Sequence, residues 1–193
     1  MIRIITAPDP VLSGISKLVE KVDGSVKDLL TQMSEALLAA KDPVGVGLAA
    51  PQIGKSLRIF IAKPTLKSSV QVFINPQIIS KSSEQEVPAF TNSKKIEAKK
   101  PKKSQGKMLE GCLSLPNIWG EVVRNRNITV SYLDERGRTH TRNFKGFMAI
   151  VIQHEIDHLD GILFPKRVLE QKGTLYESEK DEDGEDVFSE LTI

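Results

Sequence analysis

Hydrophobic residues recur along this chain with two periods, and each period marks out its own elements. Val26, Leu29, Leu30, Met33, Leu37 and Ala40 repeat at helical spacing and predict a helix that Pro43 stops. Ser25 is placed to cap it, with Asp28 three residues on as its capping-box partner. LRIFIA (57–62) and VQVFIN (70–75) are short runs of β-branched and aromatic residues, which predict strands. ITVSYLD and THTRNFK flank Glu135, Arg136, Gly137 and Arg138, the pattern of a hairpin. In GFMAIVIQHEIDHLDG, Phe147 to Ile152 is apolar on every face of a helix. That helix is expected to be central and buried, with Gly161 as its stop. The sum is an α+β fold of mixed or antiparallel sheets around one buried helix. No repeat or linker divides it, so residues 1–170 read as a single domain.

Composition narrows the class. A chain of 193 residues with 39% apolar and 27% charged residues is long enough for a proper core and has globular proportions. No apolar run approaches the roughly 20 residues of a membrane span, and MIRIITAPDPVL lacks the features of a signal or transit peptide. One cysteine, Cys112, cannot form an internal disulfide and suits a reducing, cytoplasmic setting. The net charge of +2 is uninformative, but its distribution is not. Residues 93–107 carry seven lysines against one glutamate, and residues 177–190 carry eight acids against one lysine. Like-charge blocks predict solvated, flexible segments: a Lys-rich insertion at about 77–107 and an acidic tail at 171–193. Lys94, Lys95, Lys99, Lys100, Lys102 and Lys103 could also neutralise nucleic-acid phosphates, without base specificity because no aromatics interleave them.

The chemistry is concentrated in QHEIDHLDG (153–161). His154 and His158 are four apart, so a helix sets both imidazoles on one face, as a shared metal ion requires. A catalytic ion of the zinc type usually takes three protein ligands and leaves a position for water. The pattern HExxHxxGxxH would supply a third histidine, but Phe164 stands there and cannot ligate. Glu177 or Glu179 could serve as a downstream carboxylate, as in thermolysin-like peptidases. His140 lies in a polar strand and reads as a surface residue. Cys112, in KMLEGCLSLP, offers a thiolate, a strong ligand for first-row metals. Taken alone, it equally suits a buried structural cysteine.

Three stretches together go further. GVGLAAPQIG (45–54), EGCLS (110–114) and QHEIDHLDG resemble, in that order, the three signature motifs of the peptide deformylases. The overall resemblance runs from about Ile5 to about Arg167. It implies the deformylase fold and one divalent ion on Cys112, His154 and His158. Fe²⁺ is the expected physiological ion, and Zn²⁺, Ni²⁺ or Co²⁺ suits the same ligands. Glu155 is then the general base that takes a proton from water and returns it to the leaving amine. The Gln52 amide and the Leu113 N–H stabilise the tetrahedral oxyanion. The implied substrate is the N-formyl-methionyl end of a new peptide, cleaved to formate and a free amine.

Val46 and Gly111 would bind the substrate backbone like an added strand, with Gly47 beside them. Ile150 and Val151, one turn before His154, read either as walls of the methionine pocket or as core. Asp157 reads either as a helix-surface charge or as a carboxylate that orients a histidine. Two other classes stay in view: a general HExxH peptidase, and a non-catalytic ribosome- or RNA-binding protein on the same scaffold. Neither a membrane nor a specific nucleic-acid sequence is expected as a partner.

Overall fold

The computed structural model describes residues 3–41, 43–65, 67–86 and 109–192. Strands β1 (Gly47–Ala49), β2 (Ile59–Ala62), β3 (Gln71–Lys81) and β4 (Gln85–Glu86) precede the lysine run. After it come β5 (Glu110–Cys112), β6 (Leu115–Gly120), β7 (Arg124–Asn125), β8 (Asn127–Leu133) and β9 (Thr139–Lys145). Strands β10 (Leu175–Lys180) and β11 (Asp186–Glu190) close the chain. The helices are α1 (Gly24–Ala39), α2 (Gly146–Leu159) and α3 (Phe164–Glu170). Two short 3₁₀ turns, Pro10–Ser13 and Ala50–Ile53, add to them.

The strands form a five-stranded sheet in the order β1-β2-β3-β8-β9, a four-stranded sheet β11-β10-β6-β5 and the pair β4-β7. Pairing within these sheets is antiparallel throughout. The α+β expectation is met.

Strand β2 shows why the large sheet lies where it does. Its alternate residues serve two cores. Ile59 and Ile61 pack with the α1 residues Leu29, Leu30, Met33 and Leu37, whereas Phe60 and Ala62 pack with Ala149, Ile152 and Ile156 of α2. The sheet is therefore sandwiched between two helices, and each large apolar side chain so buried contributes roughly 1.5–3 kcal/mol. Phe60 also stacks on Phe73, with ring centroids 4.5 Å apart. Helix α2 is central and buried, as its uninterrupted apolar run predicts.

Four local expectations are corrected. Helix α1 is capped by Asp23, whose Oδ1 accepts from the N–H groups of Ser25 and Val26, so Ser25 and Asp28 are not its capping box. The helix ends at Ala39, ahead of Pro43. Strand β3 runs past Pro76 to Lys81 and pairs with β8, so residues 77–81 belong to the sheet and not to an insertion. The acidic segment keeps its acids exposed but is folded rather than a tail: it forms the hairpin β10–β11, joined to β6 through Leu175↔Gly120 and Tyr176↔Trp119. Its apolar residues Leu175 and Leu191 cover a third core around Val122, Phe164 and Val168. The lysines of the 93–107 run lie outside the described residues.

Candidate metal centre

Two elements carry the candidate ligands, and both are held firmly. Helix α2 ends in a Schellman turn: the N–H of Ile162 donates to the carbonyl of Asp157 and that of Gly161 to His158. Gly161 sits at φ 70°, and a Cβ there would come within 2.5 Å of the Ser13 carbonyl oxygen, so only glycine closes the helix this way. This turn fixes His154 and His158 one turn apart. Strand β5 presents Cys112 from the neighbouring sheet, with its sulfur 3.1 Å from Nε2 of His158. The ligand atoms of Cys112, His154 and His158 all lie within 4.8 Å of one another. Among the described residues no other group of three such side chains forms. Glu177 and Glu179, the alternative third ligands, sit on β10 outside it. Phe164 instead packs against His154, ring centroids 6.2 Å apart.

The electrostatics suit a cation. Burial pushes the Cys112 thiol up, but the imidazoles of His158 and His154 outweigh it and bring the thiol down to about 5. Burial works against a charged His154, yet the Cys112 sulfur and the Glu110 carboxylate hold its proton well above the ordinary imidazole range. A site that favours a thiolate beside a protonated His154 ring favours a divalent ion in place of that proton. Nδ1 of His154 is tied to Glu110 Oε2 at 3.0 Å, which leaves its other nitrogen for a metal. The residues present fit the ion.

Glu155 is 3% exposed on the same helix, and its Oε2 has no protein hydrogen-bond partner. Burial pushes its carboxyl up to about 7, with the two histidines pulling the other way. Gly47 of β1 faces it so closely that a Cβ would overlap the carboxylate. Gln52 is locked: the N–H of Ala49 donates to its Oε1 (2.8 Å), while Nε2 donates to Ser114 Oγ (3.1 Å) and lies 3.6 Å from the Cys112 sulfur. The donor end of the amide thus faces the ligand group.

Beside these groups lies a cavity of about 260 Å³. Val46, Gly47 and Gln52 line it from one sheet, and Gly111, Cys112 and Leu113 from the other. Ile150 and Val151 line it from α2, together with His154 and Glu155. Gln52, Cys112, Leu113, His154, Glu155 and the proposed substrate-binding residues are therefore gathered around one cavity, with His158 joined to them at Cys112, while Glu177 and Glu179 are not. Ile150 and Val151 are also 4% and 3% exposed, so wall and core are the same position here.

Sequence reasoning missed the support beneath the ligands. Arg124 Nε and Nη2 grip both oxygens of Glu110, at 2.7 and 2.9 Å, and Nη1 donates to Asp157 at 2.6 Å. Arg167 covers the other side of Asp157, at 2.7 Å. Asp157 is thus neither a surface charge nor a partner of a histidine ring; it anchors two arginines. Gln153 places Arg124 by exchanging hydrogen bonds with the backbone of Asn125. The partners are 14 and 33 residues from Arg124, so no local spacing signals them. His140 is a lesser correction: it is half-buried and lies 2.9 Å from Asp134.

Arg124→Leu should lower stability by about 3–5 kcal/mol, because it leaves Glu110 buried without its counter-charge. Burial alone would raise the Glu110 carboxyl, but Arg124 holds it at about 2 against the ordinary 4.5. Its contribution is therefore complete above pH 4.5 and is lost as pH falls toward 2. Denaturation followed across that window should show a steeper acid loss in the parent than in the variant.

The comparisons agree with the geometry. The sequence profile of the family described as Polypeptide deformylase matches residues 1–173. A peptide deformylase of Chlorobaculum parvum is 38% identical over 172 residues, which span 87% of this chain and 80% of that one. One from Treponema pallidum is 38% identical over 164 residues, spanning 85% and 86%. The crystal structure of the Thermotoga maritima peptide deformylase superposes with a TM-score of 0.71 at 35% identity, over 86% of this chain and 97% of that one.

Proposed function

This chain belongs to the peptide deformylase family of enzymes, and on that premise we propose that it hydrolyses the N-terminal formyl group of formyl-methionyl peptides, releasing formate. One observation carries the reading: a buried thiolate and two imidazoles meet beside a cavity whose wall also holds a buried carboxylate, the Oε2 of which has no protein partner. Cys112, His154 and His158 would hold a single divalent ion, of which Fe²⁺ is our choice for the physiological one. Such an ion, when bound, supplies Lewis acidity, lowering the pKa of water and polarising a carbonyl.

The protein's own groups do the rest. Glu155, held near neutrality by burial, takes a proton from the attacking water and passes it to the departing amine nitrogen. Gln52 Nε2 and the Leu113 N–H donate to the oxygen that gains charge, each worth about 3 kcal/mol. Both β1 and β5 are edge strands of their sheets, so an extended peptide between them finds backbone partners at Val46 and Gly111. Ile150 and Val151 offer the apolar surface that a methionine side chain needs. Gly47 leaves no side chain between substrate and Glu155.

The test compares formyl-Met-Ala-Ser with acetyl-Met-Ala-Ser and with internal peptide bonds. Formate release from the first, without cleavage of the others, supports the proposal. Peptide-bond cleavage independent of the formyl group would favour the general HExxH peptidase. Binding without turnover would favour the non-catalytic scaffold.

We further propose that the lysine run serves nascent-chain processing through ribosomal RNA. Replacing Ser93 to Ser104 by a short Gly/Ser linker should keep small-peptide turnover within a few-fold of the parent, because loop closure depends only weakly on length. The same change should weaken ribosome binding and flatten its salt dependence. Unchanged ribosome affinity would reduce the run to a solvated loop.

A further inference from the structure

The family profile ends at residue 173, and the hairpin β10–β11 lies beyond it. We propose that this hairpin, acting through Trp119, completes a second subsite that grips the peptide following the formyl-methionine. The inference rests on the deformylase reading of the first cavity.

Register supplies the geometry. Gly111 of β5 lies opposite Trp119 of β6, and Trp119 opposite Tyr176 of β10. Directly paired residues share a face, so Gly111, Trp119, Ser178 and Phe188 stand on one side of the sheet. The hairpin holds the indole from two directions. Trp119 Nε1 donates to the buried Ser178 Oγ at 2.9 Å, and Phe188 meets the ring edge-on with centroids 5.7 Å apart. On its third side the ring lies over Gly111, where a Cβ would come within 2.6 Å of it. Glycine at 111 is what lets the indole reach the cavity wall.

The fixed ring divides two spaces. On one side is the 260 Å³ cavity beside the ligands; on the other is a second cavity of about 280 Å³. Pro43, Val44 and Trp119 belong to both, so they form a neck between them. The far space is polar, bounded by Lys41, Asn117, Ser178 and the Lys180–Asp186 ion pair. It does not suit a second apolar anchor. It suits the backbone and polar side chains of an extended peptide leaving the first cavity. Such a chain advances about 3.3 Å per residue and neighbouring strands lie about 4.8 Å apart. Because the Trp119 ring lies over Gly111 and borders both spaces, a peptide paired at Gly111 meets the neck as it leaves the first cavity.

Trp119 is the chain's one tryptophan, so its emission reports on this neck alone. The metal-loaded full-length protein is titrated with unformylated Met-Ala-Ser and, separately, with methioninamide. The tripeptide is expected to give a saturable change in emission that methioninamide does not. Phe188→Ala should raise KM for formyl-Met-Ala-Ser about 3–10-fold, the size of one aromatic edge contact, with kcat preserved. Its turnover of formyl-methioninamide should match the parent's within two-fold or so. Phe188→Leu, which keeps apolar cover over the sheet, should rescue folding but not the full KM. Equal emission responses to both ligands, or an equal rise in KM for both substrates, would overturn the proposal. If the parent turns over no formyl peptide yet its emission still responds to Met-Ala-Ser alone, the subsite stands and the deformylase reading falls.

Discussion

Glu155→Ala is expected to keep its metal and lose about 10²–10⁴-fold in turnover, the usual contribution of a positioned acid–base group. The reasons lie in its surroundings. The carboxylate is buried, Oε2 has no protein partner, and burial holds the group at about 7, where it can both accept and release a proton. Nothing in the ligand group depends on it, since Cys112, His154 and His158 are brought together without it. Metal analysis and steady-state kinetics on the same preparation separate the two roles. If the variant lost metal in proportion to activity, Glu155 would be a ligand and its assigned role wrong. Glu155→Gln, which keeps shape but not basicity, should be as inactive as Glu155→Ala.

Cys112→Ala is expected to fail differently, losing metal and activity together. The sulfur supplies the one anionic ligand of the set, held as a thiolate by His158 and His154 against the effect of burial. Losing a ligand outright should cost more than the 10–100-fold in affinity typical of losing a supporting partner. Glu110→Gln provides that smaller benchmark, because it weakens the hold on His154 while all three ligands remain. Competition with a chelator of known affinity, run on the parent and both variants, should rank them parent, Glu110→Gln, Cys112→Ala. An equal affinity for the parent and Cys112→Ala would remove the cysteine from the centre.

The contrast between these residues also explains what the chain discloses before it folds. His154 and His158 are legible because a helix converts a spacing of four into a shared face. Helix α2 could be placed because Phe147 to Ile152 is apolar all round. Gathering Cys112, 46 residues from His158, onto the same point was implied by resemblance and not by any period. Arg124 and Asp157 stayed hidden for the same reason in sharper form. A lone carboxylate on a helix reads alike whether its face meets water or two arginines, and only tertiary packing decides.

The hairpin β10–β11 was misjudged on charge. Its acids are exposed, as a charged block should be, but strand pairing needs only one face to meet apolar surface. Leu175, packed with Val122, Phe164 and Val168, supplies that face. The available clue was Asp183-Gly184 between two extended runs, a hairpin-turn signal that takes its positive φ at Gly184. At α1, Asp23 out-competed Ser25 because a carboxylate reaches two N–H groups of the first turn at once.

The central claim is that the Cys112–His154–His158 centre, loaded with one divalent ion, deformylates. Its most direct measurement is formate release from formyl-Met-Ala-Ser by protein stripped of metal under anaerobic conditions and titrated with Fe²⁺, Ni²⁺ or Zn²⁺. Activity should be absent from the stripped protein and rise linearly to a break at one ion per chain, highest with Fe²⁺ or Ni²⁺. Air should then erode the Fe²⁺ form, since both the iron and its thiolate ligand can be oxidised. Full formate release from the stripped protein would contradict the account at its root.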